Sequence, residues 1–203
     1  MRVALFGGAF DPPHRAHRAV ADACVTQLGI DRLVVLPSGA HPWKGVDYGA
    51  SAEDRLALCK VAFADLPKVE VSDLEQRRGG VAYTIDTLRA FRTELGPDAQ
   101  IYFLIGSDNL ADLPRWREAH AAMALAQFVT VPRAGVPVDA SALAKLDLTP
   151  TEREGLLAHI LRVTPSPLAS TDLRARLAAG EDVTDALAPA VLTEIRRRHL
   201  YRT

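Results

Sequence analysis

Gly7-Gly8-Ala9-Phe10-Asp11-Pro12-Pro13-His14-Arg15-Ala16-His17 is the stretch from which the architecture of this chain follows. Residues 1–6 before it include an apolar run typical of a β-strand, and residues 18–28 after it are predicted to form a helix. Glycines let backbone N–H groups approach an anion, and a helix N-terminus favours negative charge. His14 and His17 can donate hydrogen bonds to phosphate oxygens. The stretch therefore predicts a phosphate-binding site, although a single histidine here would more often only pack near the helix start.

Two other kinds of phosphate site are excluded by the sequence. It contains no G-x-x-x-x-G-K-[ST] motif, so the site is not a P-loop. No G-x-G-x-x-G follows the first predicted strand, which argues against a bound dinucleotide cofactor of the Rossmann type.

The composition is that of a soluble globular enzyme. The chain has 203 residues, of which 48% are hydrophobic and 24% charged, and its formal net charge is -1. This charge gives no overall field for binding nucleic acid or an anionic membrane, so neither is expected as a partner. Cys24 and Cys59 form no metal or redox motif and are predicted to be buried in a reducing compartment. With no secretory signal or membrane-spanning run apparent, the predicted location is cytoplasmic.

Strand-like and helical patterns alternate along the chain. Apolar runs predict strands at residues 3–6, 33–36, 69–71, 101–105, 128–131 and 160–163. Helical patterns lie at residues 18–28, 52–64, 84–95 and 115–126, whereas residues 136–148 predict a loop with an uncertain helix. The fold class expected is α/β, a doubly wound parallel sheet of order 3-2-1-4-5 in a single domain, 1–203. In that order the loops after strands one and four face the same ligand.

The opening stretch resembles the G-G-T-F-D-P-x-H-x-G-H signature of the nucleotidylyltransferase superfamily. The resemblance implies a Rossmann-like nucleotidyltransferase fold that binds the phosphates of ATP. The implied ATP-binding residues of this stretch are Gly7, Gly8, Ala9, Phe10, His14 and His17. Ala9 replaces the family's Thr or Ser, and Ala16 replaces its Gly, so the backbone must do there what those residues usually do.

Lys44 lies in a Pro- and Gly-rich loop, residues 37–45, after the second predicted strand. Its point charge could reach a phosphate of ATP or of an acceptor, or it could be a solvated loop lysine. The loop resembles the P-x-x-x-P-H-K element of the nicotinate mononucleotide adenylyltransferase branch of the superfamily. Here His41 precedes the proline and Trp43 separates it from Lys44, so Lys44 is the residue carried over as substrate-binding.

Tyr83 and Thr84 directly precede a predicted helix, and Thr84 could be its N-cap. The segment from Glu75 to Leu88 resembles the E-x-x-R-x-G-x-S-Y-T-I-D-T-L run of the same adenylyltransferases. The resemblance implies that Tyr83 and Thr84 line the pyridine-carboxylate end of the substrate pocket. The capping role and the binding role are compatible. Arg55, in the preceding helix, is predicted to lie at the surface or to support the site from behind.

Gly106, Asp108 and Trp116 match the family's G-[AS]-D-x-x-x-x-x-x-x-W element, which follows strand four. The resemblance implies that Gly106 and Asp108 contact ATP, with the carboxylate on a sugar hydroxyl or adenine amine, and that Trp116 stacks on the pyridine ring. Core packing is the default role for a tryptophan. Arg133, in a turn that resembles the family's R-P-G turn, is a candidate phosphate ligand.

Ser170, Thr171 and Arg174 form the last predicted part of the site. Ser170 or Thr171 before Asp172 is a helix N-cap signature, and Gly180 would close the helix. The segment resembles the superfamily's S-S-T-x-[IL]-R element, with Ala169 in place of the first serine. The resemblance implies that a C-terminal helical part, residues 165–203, completes the ATP site.

The resemblance runs from Gly7 to Tyr201 and implies adenylyl transfer from ATP to nicotinate mononucleotide, giving deamido-NAD and pyrophosphate in NAD biosynthesis. His14, His17 and Arg174 would be the catalytic residues. Mg²⁺ would bind with ATP, mostly through water, because no carboxylate cluster for a metal is apparent. Alternatives are an adenylyltransferase for nicotinamide mononucleotide or phosphopantetheine, a cytidylyltransferase, and a non-enzymatic nucleotide sensor. The expected assembly is a monomer or a small homo-oligomer.

Overall fold

A five-stranded parallel sheet forms the centre of the fold in a computed structural model that describes residues 1–39 and 48–202. Its strands are β1 (Arg2–Gly8), β2 (Arg32–Pro37), β3 (Val69–Val71), β4 (Gln100–Gly106) and β5 (Gln127–Val131). Their order in the sheet is β3-β2-β1-β4-β5, which confirms the predicted order. The middle residues of β1, β2 and β4 are buried and apolar, as expected for strands covered on both faces.

Helices alternate with the strands and continue after them. The helices are α1 (Arg15–Gln27), α2 (Ala52–Phe63), α3 (Leu74–Arg78), α4 (Thr84–Leu95), α5 (Ala119–Leu125), α6 (Ala140–Ala144), α7 (Pro150–Ala158), α8 (Ser170–Ala178) and α9 (Pro189–Arg197). Within the described part of the chain, no helix is long and apolar enough to cross a membrane.

The chain divides into two compact units. Unit 1 comprises Met1–Phe6, Ala23–Leu33 and Tyr83–Pro167, and unit 2 comprises Gly7–Asp22, Val34–Ala82 and Leu168–Thr203. In unit 1, β4 pairs in parallel with β1, from Arg2↔Gln100 to Leu5↔Phe103, and with β5, from Tyr102↔Gln127 to Gly106↔Val131. In unit 2, the buried face of α2 carries Arg55, Leu58, Cys59, Ala62 and Phe63.

One predicted strand is wrong. Residues 160–163 do not form a strand, because only Ile160 makes an isolated parallel bridge, with Thr130. Leu161 N–H still donates to Thr130 O, but Val163 N–H turns back to Leu161 O at 3.1 Å. The ladder therefore ends after one bridge, since the next amide is used locally.

Several helix limits differ from those predicted. α1 begins at Arg15 rather than at residue 18, and α5 begins at Ala119 rather than at 115, because Glu118 has a left-handed φ of 52°. α7 lay in a segment with no predicted helix, although Thr149 and Glu152 form a capping box there and Pro150 occupies its first turn. Cys24 and Cys59 are free and buried, as predicted.

Candidate active site

The loop after β1 is fixed by the packing of Phe10. A Cβ on Gly8 would lie 3.1 Å from Cε2 of the Phe10 ring, so a larger residue there would require this ring to shift by a few tenths of an ångström. Phe10 has a φ of 50° and is 1% exposed, with its ring 4.9 Å from that of His17 and 6.0 Å from that of Phe63. The ring is thus an anchor of the loop, and Phe10 can meet a ligand only through its backbone.

His14 and His17 lie together at the start of α1. Their rings stack with centroids 3.7 Å apart and an angle of 26° between the planes. The backbone N–H of His14 donates to Nδ1 of His17 at 3.2 Å, so the side chain caps the first turn of the helix. Because Nδ1 accepts this bond, a neutral His17 carries its proton on Nε2. The cap thus prepares Nε2–H of His17 as a donor to an anion.

Arg55 braces this loop from the interior. Its side chain is 1% exposed, so the surface location given as one possibility is wrong, whereas a supporting place behind the site agrees with the geometry. Nη1 donates to Ala9 O and Nη2 to Ser38 O, both at 2.8 Å. The guanidinium also lies 4.0 Å from the centroid of the Tyr48 ring. A buried guanidinium is tolerated because carbonyl acceptors and an aromatic face surround it.

Residues of α8 reach the same loop within unit 2. Nη1 of Arg174 donates to Asp11 O at 2.9 Å, and the Ser170 hydroxyl donates to Pro12 O at 3.0 Å. Ser170 is therefore not the helix N-cap that was predicted, since its hydroxyl is used by the loop and Ala169 occupies the cap position. Thr171, also predicted, is exposed one residue further along α8.

Asp11 and Tyr201 were not predicted as site residues, although both stand in motifs quoted from the sequence. The Asp11 carboxylate is buried, and the Tyr201 hydroxyl donates to its Oδ1 at 2.7 Å. The burial of Arg55 could have been predicted from the sequence, because Arg55 lies three and four residues before Leu58 and Cys59 and so shares the apolar face of α2 with them.

The remaining predicted residues that the structure describes lie in unit 1. Tyr83 is the N-cap of α4, and Thr84 is its first helical residue, so Thr84 is not the predicted cap. No side chain caps this helix, because neither hydroxyl bonds to an N–H of its first turn. The Tyr83 ring is covered by the Arg117 guanidinium, whose carbon lies 4.9 Å from the ring centroid.

Gly106 and Asp108, at the end of β4 and in the loop after it, lie beside Arg133, which follows β5. Arg133 N–H donates to the Ser107 hydroxyl at 2.9 Å, and Arg133 Nε lies 3.6 Å from Oδ1 of Asp108. The Asp108 side chain is 51% exposed, so this ion pair is solvent-screened. Further along, the half-buried Trp116 packs edge-on against Phe103, with centroids 6.3 Å apart. Its ring is thus fixed at one edge.

Lys44 lies outside the described residues. Within residues 1–39 and 48–202, no group of three or more His, Cys, Asp or Glu side chains is placed to hold a metal ion. Nothing in these residues therefore forms a protein cage for Mg²⁺, and the ion's expected ligands are phosphate oxygens and water.

The chain is similar to known proteins over nearly its full length. The Cytidylyltransferase-like family model matches residues 5–176. The chain is 37% identical over 200 residues to a probable nicotinate-nucleotide adenylyltransferase of Synechococcus sp. (strain JA-3-3Ab), covering 98% of this chain and 94% of the relative. It is 39% identical over 210 residues to one from Chromobacterium violaceum, covering 99% of each.

Solved structures share the fold. Plasmodium falciparum nicotinic acid mononucleotide adenylyltransferase complexed with NaAD has a TM-score of 0.77 and 22% identity, with 98% of this chain and 97% of that chain covered. The same enzyme complexed with APC has a TM-score of 0.74 and 21% identity, with 98% and 96% covered. At this identity the likeness bears on the fold alone.

Proposed function

This chain belongs to the nicotinate-nucleotide adenylyltransferase family, within the cytidylyltransferase-like proteins, and from this we propose how its residues carry out adenylyl transfer. The reaction joins ATP to nicotinate mononucleotide and gives deamido-NAD and pyrophosphate. The observation that carries the proposal lies in unit 2, where the rings of His14 and His17 stack at the start of α1 and Arg174 donates to the backbone carbonyl of Asp11 in the loop before them.

The chemical step needs little covalent help from the protein. An oxygen of the acceptor's 5′-phosphate attacks the α-phosphorus of ATP, the new O–P bond forms, and the bond from that phosphorus to the bridging oxygen breaks. Pyrophosphate leaves with that oxygen. A phosphate dianion is already a nucleophile, so the protein acts by positioning the groups and by stabilising the negative charge that develops on the phosphates.

The donors of unit 2 suit the triphosphate. We assign Nε2–H of His17 and the imidazole of His14 to the α- and β-phosphates, and Arg174 with Ser170 and Thr171 to the β- and γ-phosphates. Ser170 would act through its backbone N–H, because its hydroxyl donates to Pro12 O. Gly7, Gly8, Ala9 and Phe10 would contribute backbone groups. Support comes from the pre-set tautomer of His17 and from the contact of α8 with the loop. Residues 165–203 would thereby complete the ATP site of one domain, 1–203.

The residues of unit 1 suit the sugar, base and acceptor. We assign Gly106 and Asp108 to the nucleoside of ATP, and Tyr83, Thr84 and Trp116 to the nicotinate ring and its carboxylate. The start of α4 supports this, because the N–H groups of a helix's first turn have no partner within the helix and favour an anion. Arg133 and Lys44 remain candidate ligands for phosphate.

Mg²⁺ would arrive with ATP as the metal complex of the triphosphate. It would then neutralise charge on the phosphate oxygens. The proposed cellular location is the cytoplasm, and the proposed assembly is a monomer or a small homo-oligomer.

A pyrophosphate-release assay tests the function. The chain is incubated with ATP, Mg²⁺ and one acceptor at a time: nicotinate mononucleotide, nicotinamide mononucleotide or phosphopantetheine. Fastest release with nicotinate mononucleotide is expected, and faster release with nicotinamide mononucleotide would contradict the acceptor assignment. ATP binding without release with any acceptor would favour a nucleotide sensor. Replacing ATP with CTP tests the cytidylyltransferase alternative, which predicts that CTP is the better donor.

A further inference from the structure

A buried carboxylate lies at the centre of unit 2. Asp11 is 1% exposed, and each of its carboxylate oxygens accepts a hydrogen bond from a neutral donor. The Tyr201 hydroxyl donates to Oδ1 and the Gly49 N–H to Oδ2, both at 2.7 Å. Arg174 Nη1 lies 3.5 Å from Oδ2 and donates instead to the backbone carbonyl of Asp11 at 2.9 Å. The carboxylate is thus satisfied without a direct hydrogen bond from the guanidinium.

Arg174 and Tyr201 both pack closely against Gly49. A Cβ on Gly49 would lie 2.5 Å from Cδ of Arg174 and 3.1 Å from Cε1 of the Tyr201 ring. Glycine at position 49 therefore lets the stem of Arg174 and the Tyr201 ring pack on the same piece of backbone. This packing fixes the direction in which Arg174 leaves α8.

The Tyr201 hydroxyl is a permanent donor. Burial, and next the hydrogen bond to Asp11, raise the pKa of this hydroxyl well above its ordinary value. The proton therefore stays on the tyrosine oxygen at neutral pH. Without this donor, Oδ1 of a buried carboxylate would lose its partner, and the Arg174 guanidinium already lies 3.5 Å from the other oxygen of the same carboxylate.

We propose that Tyr201 is a positioning residue for nucleotide binding, which acts through Asp11 to keep the Arg174 guanidinium turned to the phosphates of ATP. By satisfying Oδ1, the hydroxyl prevents Asp11 from drawing Arg174 into a two-pronged ion pair. Within residues 1–39 and 48–202, the described hydrogen bond of Arg174 uses only Nη1, so its other N–H groups can serve a ligand. This inference rests on the proposed function, since it assumes that the ligand is a nucleoside triphosphate.

The test is a double-mutant cycle read by ATP binding. Tyr201→Phe keeps the ring against Gly49 and removes only the hydroxyl. Titration of Mg·ATP into the parent chain, Tyr201→Phe, Arg174→Gln and the double variant is followed by calorimetry, with the steady-state KM for ATP measured beside it. We expect Tyr201→Phe to weaken ATP binding about tenfold, as loss of one hydrogen bond to a charged group would. The KM for nicotinate mononucleotide should stay within about twofold of the parent value.

The cycle separates positioning from simple support of the fold. If Tyr201 acts through Arg174, the same change made in the Arg174→Gln background has little further effect on ATP binding. Equal losses of affinity in both backgrounds, or unchanged affinity in Tyr201→Phe, would overturn the proposal. Tyr102→Phe is the matched control, because it also removes one hydrogen-bonded tyrosine hydroxyl, which accepts from Arg2 at 2.6 Å in unit 1. Its ATP affinity should match that of the parent.

The outcome also distinguishes this proposal from the proposed function. A parent chain that binds ATP but forms no dinucleotide would remove the transfer reaction and leave the positioning test valid. A parent chain that does not bind ATP would contradict both proposals. Thermal unfolding of each variant, measured without nucleotide, shows whether a change in affinity follows from a loss of folded protein.

Discussion

Two loops of this molecule carry candidate site residues and are supported in opposite ways. The loop after β1, in unit 2, is braced by groups that are almost wholly buried: Asp11 and Arg55 are each 1% exposed. The loop after β4, in unit 1, presents Asp108 and Asn109 to solvent, and its ion pair between Arg133 and Asp108 is a loose 3.6 Å contact. The first loop is thus supported by buried charged groups, whereas the charged pair at the second is open to solvent.

The difference matches what each loop is proposed to bind. Stabilising charge on a phosphate in the transition state requires donors fixed in advance, because donors that must first reorganise contribute little. The Arg55 bonds to Ala9 O and Ser38 O provide such fixing. Recognition of a ring and sugar relies more on contact area, for which the half-buried Trp116, packed in a T-shaped arrangement with Phe103, is suited. Buried charged groups therefore support the loop that is proposed to bind the phosphates.

The largest expected effect is a loss of turnover when His17, which follows the loop after β1, is replaced. His17→Ala should lower kcat about 100-fold or more, as loss of one preorganised donor to a developing charge does. The fold should persist, because the side chain is only half-buried. His120→Ala in unit 1 is the matched control, since His120 is exposed and bonds only Glu152 among the described residues. A variant at His17 that turns over at nearly the parent rate would remove this residue from the site.

The second-largest expected effect is on the free energy of unfolding, which should fall more for a variant at the first loop than for one at the second. Arg55→Met should lower the free energy of unfolding by about 2–3 kcal/mol, because two part-buried hydrogen bonds from a charged donor are lost. Arg133→Met should change it by less than about 0.5 kcal/mol, since its partner is an exposed carboxylate. Urea unfolding of both variants measures the contrast. Similar losses at the two positions would mean that the two loops are equally braced.

A smaller effect is expected in acid, where unit 2 should lose the contribution of Glu194 to stability. Hydrogen bonds from Arg197 and Arg198 lower the pKa of Glu194 from 4.5 to about 2. Its folded-state pKa is depressed, so the stabilisation is present above pH 4.5 and is lost as the pH falls toward 2. Glu194→Gln should cost about 1 kcal/mol near neutral pH, reduced by solvent screening, and little in strong acid. A constant difference between variant and parent across this pH range would contradict the assignment.

The smallest expected effect is a pH dependence in unit 1 with the opposite sign. The hydrogen bond to Glu152, which lies 2.8 Å away, raises the pKa of His120 above 6.5. A raised folded-state pKa gives stability that is fully present below pH 6.5 and is lost as the pH rises through the folded-state value. Melting temperatures of the parent chain and His120→Gln should therefore differ most in mild acid and converge in alkali. A difference that grows with pH would contradict this sign.

Local sequence patterns predicted those elements whose limits are set by residues nearby in the sequence. The limits of α4 agree with the prediction, because an apolar period and a following Gly96 define it. Ser51 caps α2 as its sequence context suggests, with its hydroxyl accepting from Asp54 N–H at 3.1 Å. Residues 160–163 were wrongly predicted to form a strand from their apolar pattern. Such a pattern does not show whether a neighbouring strand offers backbone hydrogen-bond partners along its edge.

The support of the site could not be predicted in the same way. The roles of Asp11 and Arg55 depend on partners far along the chain, such as Tyr201, 190 residues from Asp11. Ser170 matched an N-cap pattern, yet its hydroxyl bonds Pro12 O, because tertiary contact overrides a local preference. The binding roles assigned to the individual residues of both units stay predictions.

Transfer of the labelled phosphorus is the most direct test of the whole account. ATP radiolabelled on its α-phosphate is incubated with the chain, Mg²⁺ and nicotinate mononucleotide, and the products are separated by chromatography. Attack at the α-phosphorus predicts that the label moves into deamido-NAD while the released pyrophosphate stays unlabelled. Label that remains in ATP, or that appears only as AMP, would contradict adenylyl transfer by this protein.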